Sequence, residues 1–509
     1  MNETLYYSKA VMGGGKTYSS IRYLCEQNYE FGHRTIYCVP TKELANEIYE
    51  SFRSQKEYDY SDDSEFEFDI GYTPDDKPLN IHIKVINGDT SSSVSKDVAE
   101  SIKNLKCDFL IITHEALFSI KDHDLPYLKK WNVVIDEDPH PLQVYSTQDS
   151  NGESRTLTQL ASEITGSKQV IEFEVNDERQ SYINRSIEEE YGNSLNDGAK
   201  SYLKFLTTDN DKICLLSNSN HKTSWFGVEF RPLKAIIENA YEITLLCSKL
   251  SGLTEIYLDR YDIKVEQSWV KAAHSEYPES LQKKITVHRV WDIRDHALTY
   301  MEKYGVNTLS SVLGSVLDGH NFITRTNEKH RGFLKSHTGF KGHVSRVTNG
   351  LNYLDKYSNI VDIACYNKPS DSKHFYAYMD GLLDTNAGVF ENGFVEKENL
   401  EPSAQAVCRL GFRKINNPPH DSYMIIVPDK RTEDYIKEHY LPEANYAGSI
   451  IKDGPVDKGG RKQGKENAKT SAKIAEVDRL IALGKTFNQA VKIVGMGKST
   501  YNNFKRKHP

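Results

Sequence analysis

Between a strand-like run at residues 5–8 and a helix-like stretch at residues 18–27 the chain reads Ala10-Val-Met-Gly-Gly-Gly15-Lys16-Thr17. No other segment narrows the possible folds as much. Gly13, Gly14 and Gly15 allow a tight turn whose backbone N–H groups wrap phosphate oxygens, and the helix that follows adds a dipole favourable to an anion. In such a P-loop Lys16 reaches the β- and γ-phosphates and the Thr17 hydroxyl ligates Mg²⁺.

The surrounding pattern suits this loop. Apolar runs at residues 35–39, 82–86, 109–113 and 132–135 alternate with helical stretches, which predicts a parallel sheet with crossover helices. Residues 58–69 are acidic and polar and read as a surface excursion. From about 145 to 231 the pattern weakens into Asn, Ser and Glu, as expected of an insertion, and its chemistry is not legible. A second α/β pattern follows, with strands expected at 284–288, 321–324, 360–364 and 422–426. A Gly/Lys linker at 452–465 leads to a short helical tail.

The apolar run at 132–135 ends in Asp136-Glu137-Asp138-Pro139-His140. Adjacent carboxylates at the end of a buried strand are costly unless a cation compensates them. Mg²⁺ held by Asp136 answers that cost, and Glu137 is then placed to polarise an attacking water as general base. Alone, the pair reads equally as a solvated acidic turn; with the glycine loop upstream in the same α/β unit it reads as the second half of an ATP site.

With these two segments the chain resembles the superfamily 2 helicases, whose second motif is Asp-Glu-x-Asp or Asp-Glu-x-His. Here the fourth position is Pro139, and His140 comes one residue late. Pro40-Thr41-Lys42 resembles motif Ia and Thr113 stands in the backbone-contacting place of motif Ib; in the family both touch nucleic acid. Residues 245–250, with Ser248 the matching hydroxyl, are similar to motif III. Thr324-Arg325 lies in a motif IV-like string, and Thr348 opens a motif V-like one. Gln405-Ala-Val-Cys-Arg409-Leu-Gly-Phe-Arg413 resembles motif VI, with Cys408 in place of glycine and the last arginine displaced by one.

The resemblance implies Arg409 as arginine finger, Arg413 as a second arginine and Gln405 as a nucleotide contact. It implies contacts to nucleic acid from Pro40, Thr41, Lys42, Thr113, Thr324, Arg325 and Thr348. The implied fold class is α/β: two tandem RecA-like P-loop domains with an insertion, plus a small all-α helix-turn-helix C-terminal domain. The expected division is 1–144 for the ATP-binding domain, 145–235 for the insertion, and 236–283 for the end of the first domain. The second domain spans 284–445, the linker 446–470 and the tail 471–509.

The tail stands apart in charge. Residues 451–509 hold 14 Lys and Arg against 5 Asp and Glu, a net of +9, while the preceding 450 residues carry 50 against 67, a net of −17. A basic tail on an acidic body points to a polyanionic partner, with simple solubilisation as the bland alternative. Residues 472–482 place Ile474, Val477, Leu480 and Ile481 on one helical face, Thr486 caps a second helix, and Gly495-Met-Gly497 turns before a third from Ser499. Lys498-Ser499-Thr500-Tyr501 and the glycines resemble the DNA-binding domain of resolvase/invertase recombinases. The resemblance implies DNA contacts from Lys498, Ser499, Thr500, Tyr501 and Lys505, with Arg461 and Lys462 as an arm in the minor groove; a protein-docking bundle is the alternative. Tyr353, Phe375, Tyr376 and Tyr378 are further aromatics that either stack on bases or fill a core.

The seven cysteines are scattered, without metal-ligand spacing, and read as free thiols of a reducing compartment. No apolar run reaches the roughly 20 residues of a membrane span, and residues 1–10 do not have the form of a secretory signal, so a cytoplasmic location is expected. The reading is an ATP- and Mg²⁺-dependent DNA helicase or translocase, brought to DNA by its tail in replication initiation, as in phage or viral origin-binding helicases. A non-motor regulator switched by ATP, or an RNA helicase, are the alternatives.

Overall fold

The computed structural model describes residues 3–56, 81–149, 155–163, 170–190, 197–219, 222–292, 306–345, 353–364, 372–451, 468–482, 485–495 and 501. Thr348 and the motif V string, Arg461, Lys462, Lys498, Ser499, Thr500 and Lys505 lie outside them, as does the side chain of Tyr353.

The first lobe begins with five strands, β1 (Thr4–Lys9), β2 (Arg34–Val39), β3 (Ile83–Ile86), β4 (Phe109–Thr113) and β5 (Trp131–Asp136). An excursion then contributes β6 (Leu142–Asp149), β7 (Ile171–Phe173), β8 (Asp211–Ser219) and β9 (Lys222–Phe230), after which β10 (Glu242–Cys247) and β11 (Lys264–Gln267) return to the lobe. The seven-stranded sheet runs β11-β1-β10-β5-β2-β4-β3, all parallel. Its central strands are apolar on both faces, because helices cover both. Ile36, Cys38, Val133 and Ile135 face one core, while Tyr37, Val39 and Val134 face the other. The latter is closed by α1 (Lys16–Phe31), through Ile21, Leu24 and Cys25, and by α2 (Lys42–Lys56), through Ala45, Ile48 and Phe52.

The second lobe is a six-stranded parallel sheet: β12 (Ile285–Trp291), β13 (Phe322–Arg325), β14 (Phe340–Val344), β15 (Asn359–Asp362), β16 (Tyr423–Asp429) and β17 (Asn445–Ser449), in the order β14-β13-β15-β16-β12-β17. The two strands not anticipated from sequence, β14 and β17, are its edges. Each contains a glycine and few apolar residues, so neither shows the buried-strand pattern.

The excursion is an ordered antiparallel sheet, β6-β9-β8-β7. Along β8, Cys214 and Leu216 face a core made with the helices Arg155–Glu163, Asp177–Glu190 and Asp197–Leu206, whereas Ile213 and Leu215 face the core of the first lobe. The sheet is therefore buried on both sides. A Cβ on Gly227 would lie 2.2 Å from the Phe205 ring, so only glycine admits that ring. Residues of the second-lobe sequence complete this packing. The helices Ser372–Leu382 and Val389–Val395 insert Phe375, Tyr376, Met379, Phe390 and Phe394 into the first lobe's core, with Phe375 stacked on Phe226 at 4.6 Å. Phe375 and Tyr376 fill the core, the more common fate of such aromatics, while Tyr378 packs partly buried against the same cluster with its hydroxyl bonded to Glu172.

Residues 453–509 form a separate compact unit. Its described helices, Ala468–Ala482 and Phe487–Val494, pack through Val477, Ala490 and Val491. Thr486 and Gln489 make a reciprocal capping box, and Gly495 ends the second helix at φ 62°. Ile481, expected on the buried face, is exposed. Among the described residues no helix is long and apolar enough to cross a membrane.

One buried ion pair pins the second sheet. Arg325 Nη1 lies 2.9 Å from both carboxylate oxygens of Asp362 on the neighbouring strand, and both side chains are almost fully inaccessible. Removing one partner strands the other charge, at a cost of about 3–5 kcal/mol. Asp362→Ala is expected to lower the denaturant midpoint accordingly, whereas replacing both partners with apolar residues should recover part of the loss.

Candidate functional site

The glycine loop follows β1 and opens α1. Gly13 and Gly15 adopt left-handed φ of 75° and 85°, which glycine reaches without a steric penalty. Close packing adds a second requirement. A Cβ on Gly13 would lie 2.1 Å from the Arg413 carbonyl oxygen of the second lobe, and one on Gly14 would lie 2.4 Å from that of His274. Lys16 Nζ donates to the carbonyls of Ala10 (2.9 Å) and Val11 (3.3 Å). Burial pulls its pKa down, against the opposing pull of Asp136.

β5 delivers the acidic segment beside this loop. Thr17 Oγ1 donates to Asp136 Oδ2 at 3.0 Å, and the Tyr37 hydroxyl is 3.5 Å from the same oxygen. Burial, followed by Glu137, raises the Asp136 pKa to about 6. Glu137 is held at φ 68° while its N–H donates to Leu246 O at 2.8 Å. This backbone, uncommon for a non-glycine residue, turns its carboxylate towards the second lobe, where Arg409 Nη2 donates to Glu137 Oε1 at 2.6 Å.

The segment's altered ending has a structural role. Asp138 Oδ2 accepts from Ser251 N (2.8 Å), and Oδ1 accepts from Thr254 Oγ1 (2.6 Å) and His140 N (2.9 Å). Asp138 thus ties β5 to the start of the helix Gly252–Arg260. Burial alone would raise its pKa, but His140 and these donors hold it down. His114 Nε2 contacts the Asp136 carbonyl at 3.0 Å and is kept neutral by burial, with its pKa lowered to about 4.

These groups share one cavity of about 360 Å³, within the range of small-molecule sites. Gly13, Lys16, Thr17, Asp136, Glu137, Gln405, Arg409 and Arg413 all line it. Glu137 Oε2, Gln405 Oε1 and Arg409 Nε are buried without a hydrogen-bond partner. Buried polar atoms left unpaired are rare, and here they converge from both lobes. A donor–acceptor set of this kind fits a triphosphate and a polarised water. Among the described residues no group of three His, Cys, Asp or Glu side chains could hold a metal; a divalent ion here would share Thr17 and Asp136 with phosphate oxygens and water, as Mg²⁺ commonly does.

Sequence reasoning missed the layer behind the arginine. Glu401, four residues before Gln405 and so on the same helical face, accepts from Gln405 Nε2 (3.3 Å) and from the hydroxyls of Tyr435 (2.8 Å) and Tyr440 (2.7 Å); burial raises its pKa. Glu396 pairs with Lys249 and accepts from Gly252 N at 3.1 Å, joining the motif III-like segment to the second lobe. The i,i+4 spacing of Glu401 and Gln405 was a visible signal; the Lys249–Glu396 pair had none.

The expected nucleic-acid contacts divide. The Thr41 hydroxyl accepts from Leu44 N (3.2 Å) and that of Thr113 from Ala116 N (3.3 Å), so both cap helices at the C-terminal edge of the first sheet, beside Pro40. Lys42 bonds Asp89 at 2.6 Å. Thr324 and Arg325 are buried, Arg325 within its pair with Asp362, which corrects the expectation that they touch nucleic acid. In the separate C-terminal unit Tyr501 packs on Phe487 at 5.1 Å and its hydroxyl bonds Asp478.

Residues 6–173 match the model of the DEAD/DEAH box helicase family, so the chain carries a DEAD/DEAH box helicase domain. No curated protein matches the chain in sequence. Among solved structures, an XPD helicase aligns at a TM-score of 0.50 and 13% identity, over 88% of this chain and 96% of that one. The Xpd4 structure from S. tokodaii aligns at 0.46 and 12%, over 87% and 95%. Dbp5 from S. cerevisiae, bound to RNA and ADP BeF3, aligns at 0.33 and 10%, over 87% and 85%. At such identities the XPD likeness speaks for the fold alone.

Asp138→Ala leaves the buried Ser251 N–H without its acceptor, at a cost of about 1–3 kcal/mol, and leaves the Thr254 hydroxyl only Ser251 Oγ, 3.0 Å away. A clear fall in the denaturant midpoint is expected. Asp138→Asn, which keeps one acceptor oxygen, should lose less.

Proposed function

We propose that this chain is an ATP-driven DNA helicase or translocase of superfamily 2. The observation that carries the reading is the cavity in which Lys16, Thr17, Asp136 and Glu137 of one sheet meet Gln405, Arg409 and Arg413 from the other. In this reading the loop N–H groups and Lys16 bind the β- and γ-phosphates of ATP. Mg²⁺, held through Thr17 and Asp136, supplies charge neutralisation. Glu137 takes a proton from water as that water attacks the γ-phosphorus, and ADP leaves with the broken phosphoanhydride oxygen. Arg409 stabilises charge on the transferring group, a task suited to a planar guanidinium.

The Glu137–Arg409 pair supports coupling between lobes. While paired, Glu137 shares its carboxylate with Arg409; a γ-phosphate competing for the guanidinium frees it to act as base. Binding thereby rearranges an interlobe contact, and hydrolysis restores it. Alternation of this kind, with Pro40, Thr41, Lys42 and Thr113 at a nucleic-acid-facing edge, would produce movement along a strand. For the tail, the net charge of +9 and the capped helix pair support a helix-turn-helix that brings the motor to duplex DNA, with Arg461, Lys462, Lys498, Ser499, Thr500 and Lys505 as contacts. A motor joined to such a reader suits replication initiation.

ATP turnover should be stimulated by single-stranded or duplex DNA more than by RNA, and Lys16→Ala should abolish it. Arg409→Ala should lower kcat by about 10³-fold or more, the scale of an arginine finger. A chain ending at Asp453 should keep its ATPase but lose DNA affinity and part of its salt dependence. Stimulation by RNA alone would redirect the reading to an RNA helicase, and ATP binding without DNA-stimulated turnover would redirect it to a switch.

A further inference from the structure

Two carboxylates of the second lobe share one tyrosine hydroxyl. Glu396 and Glu401 stand five residues apart. In an α-helix, at about 100° per residue, that spacing turns them to different sides. Here Glu396–Leu400 forms a π-helical turn, closed by the N–H of Glu401 donating to the carbonyl of Glu396. Such i→i+5 bonding brings side chains five apart back towards one face. The Tyr435 hydroxyl spans them, 2.9 Å from Glu396 Oε1 and 2.8 Å from Glu401 Oε2.

A hydroxyl has one proton to donate. Both contacts are of hydrogen-bond length, so the second needs a proton from a carboxyl group. Glu396 does not hold it: Lys249 pairs with its Oε1 and the Gly252 N–H donates to its Oε2 at 3.1 Å, and both favour the ionised form. Among the described residues no cation pairs with Glu401, which is 8% exposed. Its other partners are the Tyr440 hydroxyl, 2.7 Å from Oε1, and Gln405 Nε2, 3.3 Å from the same oxygen. Around these stand Cys408 on its own helix, and Tyr7, Cys247 and Asp138 of the first lobe. The cations of the neighbourhood are committed elsewhere: Arg409 to Glu137, Lys249 to Glu396 and Lys16 to the loop carbonyls. His439, against the Tyr435 ring, is held towards its neutral form by burial. Burial, reinforced by Glu396, raises the Glu401 pKa against the pull of the two hydroxyls and the amide. A proton on Glu401 Oε2 completes the set. It is donated to the Tyr435 oxygen, Tyr435 donates to Glu396, and Lys249 closes the row, while Tyr440 and Gln405 donate to Glu401 Oε1.

We infer that Glu401 is held as the neutral acid, at the head of a row Glu401–Tyr435–Glu396–Lys249 that positions Gln405 in the cavity and ties its setting to the first lobe. Glu401 and Gln405 both line that cavity. By engaging Gln405 Nε2, Glu401 leaves the unpaired Gln405 Oε1 as the amide atom available to a ligand. Neutrality matters for two reasons. An ionised carboxylate here repels a triphosphate, and it leaves Tyr435 facing two carboxylates with one proton. The neutral form is present at low pH and is lost as pH rises through the raised pKa. Glu401 is a positioning residue. Its effect on turnover rests on the reading of the cavity as an ATP site; the location of the proton does not.

The infrared difference spectrum between the full chain and Glu401→Gln, in neutral buffer without nucleotide, reads the proton directly. The carbonyl-stretch band of an undissociated carboxyl, shifted in D2O, is expected, and its absence overturns the inference. ATP turnover tests the positioning. Glu401→Ala should raise the KM for ATP by about tenfold, the equivalent of one hydrogen bond. Glu401→Gln, neutral and still able to donate to Tyr435 and accept from Tyr440, should restore most of that loss. A KM unmoved by Glu401→Ala, or a Glu401→Gln chain as impaired as Glu401→Ala, overturns the inference. Should Glu401→Ala fail to fold, Glu401→Gln against the unaltered chain decides: a similar KM supports the neutral acid, and a KM raised by about tenfold overturns it. As pH rises the band of the unaltered chain should fade and its KM rise over the same interval, by up to about tenfold per pH unit, an interval that Glu401→Gln lacks. Loss of the band with an unmoved KM overturns the positioning role. An unaltered chain that turns over no ATP overturns the reading of the cavity, whatever the band shows, whereas normal turnover without the band overturns the inference alone.

Discussion

Charges that cannot be left unpaired meet where the edges of two parallel sheets face each other. Lys16 and Asp136 are nearly inaccessible, and Glu137 is joined to Arg409 from the opposite lobe. Burial works against the charge on both Lys16 and Asp136, lowering one pKa and raising the other. Each ionised group therefore depends on the next, and the chain of compensation crosses from one lobe to the other. A ligand bearing several negative charges would enter such an arrangement only by redistributing those pairings.

Two further contacts join the same strand to its surroundings. Asp138 spends its carboxylate on the start of the helix Gly252–Arg260, and the N–H of Gly252 reaches Glu396 on the second lobe. The strand that presents Asp136 and Glu137 is thus linked to the opposite lobe by two routes, one through Arg409 and one through Glu396. The aromatic packing of Phe375, Phe390 and Phe394 against the first lobe's core and the antiparallel sheet holds the lobes near enough for both. The excursion between β5 and β10 accordingly belongs to the framework that keeps the cavity assembled.

Some of this was legible residue by residue. The loop at 10–17 and the acids at 136 and 137 are contiguous, and short-range backbone geometry dictates their form wherever they occur; both alternating α/β patterns could be read for the same reason. The edge strands β14 and β17 escaped because half their hydrogen-bonding edge is unpaired and their side chains need not be apolar. The excursion escaped because helices on one face and a lobe on the other erase the alternation that marks a half-exposed sheet. Thr324 and Arg325 were misread because a polar residue at a strand end looks the same whether it faces solvent or a buried carboxylate on a neighbouring strand.

Local sequence by itself determined the phosphate loop, the acidic strand end and the presence of two parallel α/β units, because each follows from contacts among residues close in the chain. Only the tertiary structure decided that Arg409 reaches Glu137, that Arg325 belongs to Asp362, that Glu396 holds Lys249, and that the Tyr435 hydroxyl spans Glu396 and Glu401. Each of those pairings joins residues tens to hundreds of positions apart, and which partner a buried charge finds depends on how the sheets and helices pack.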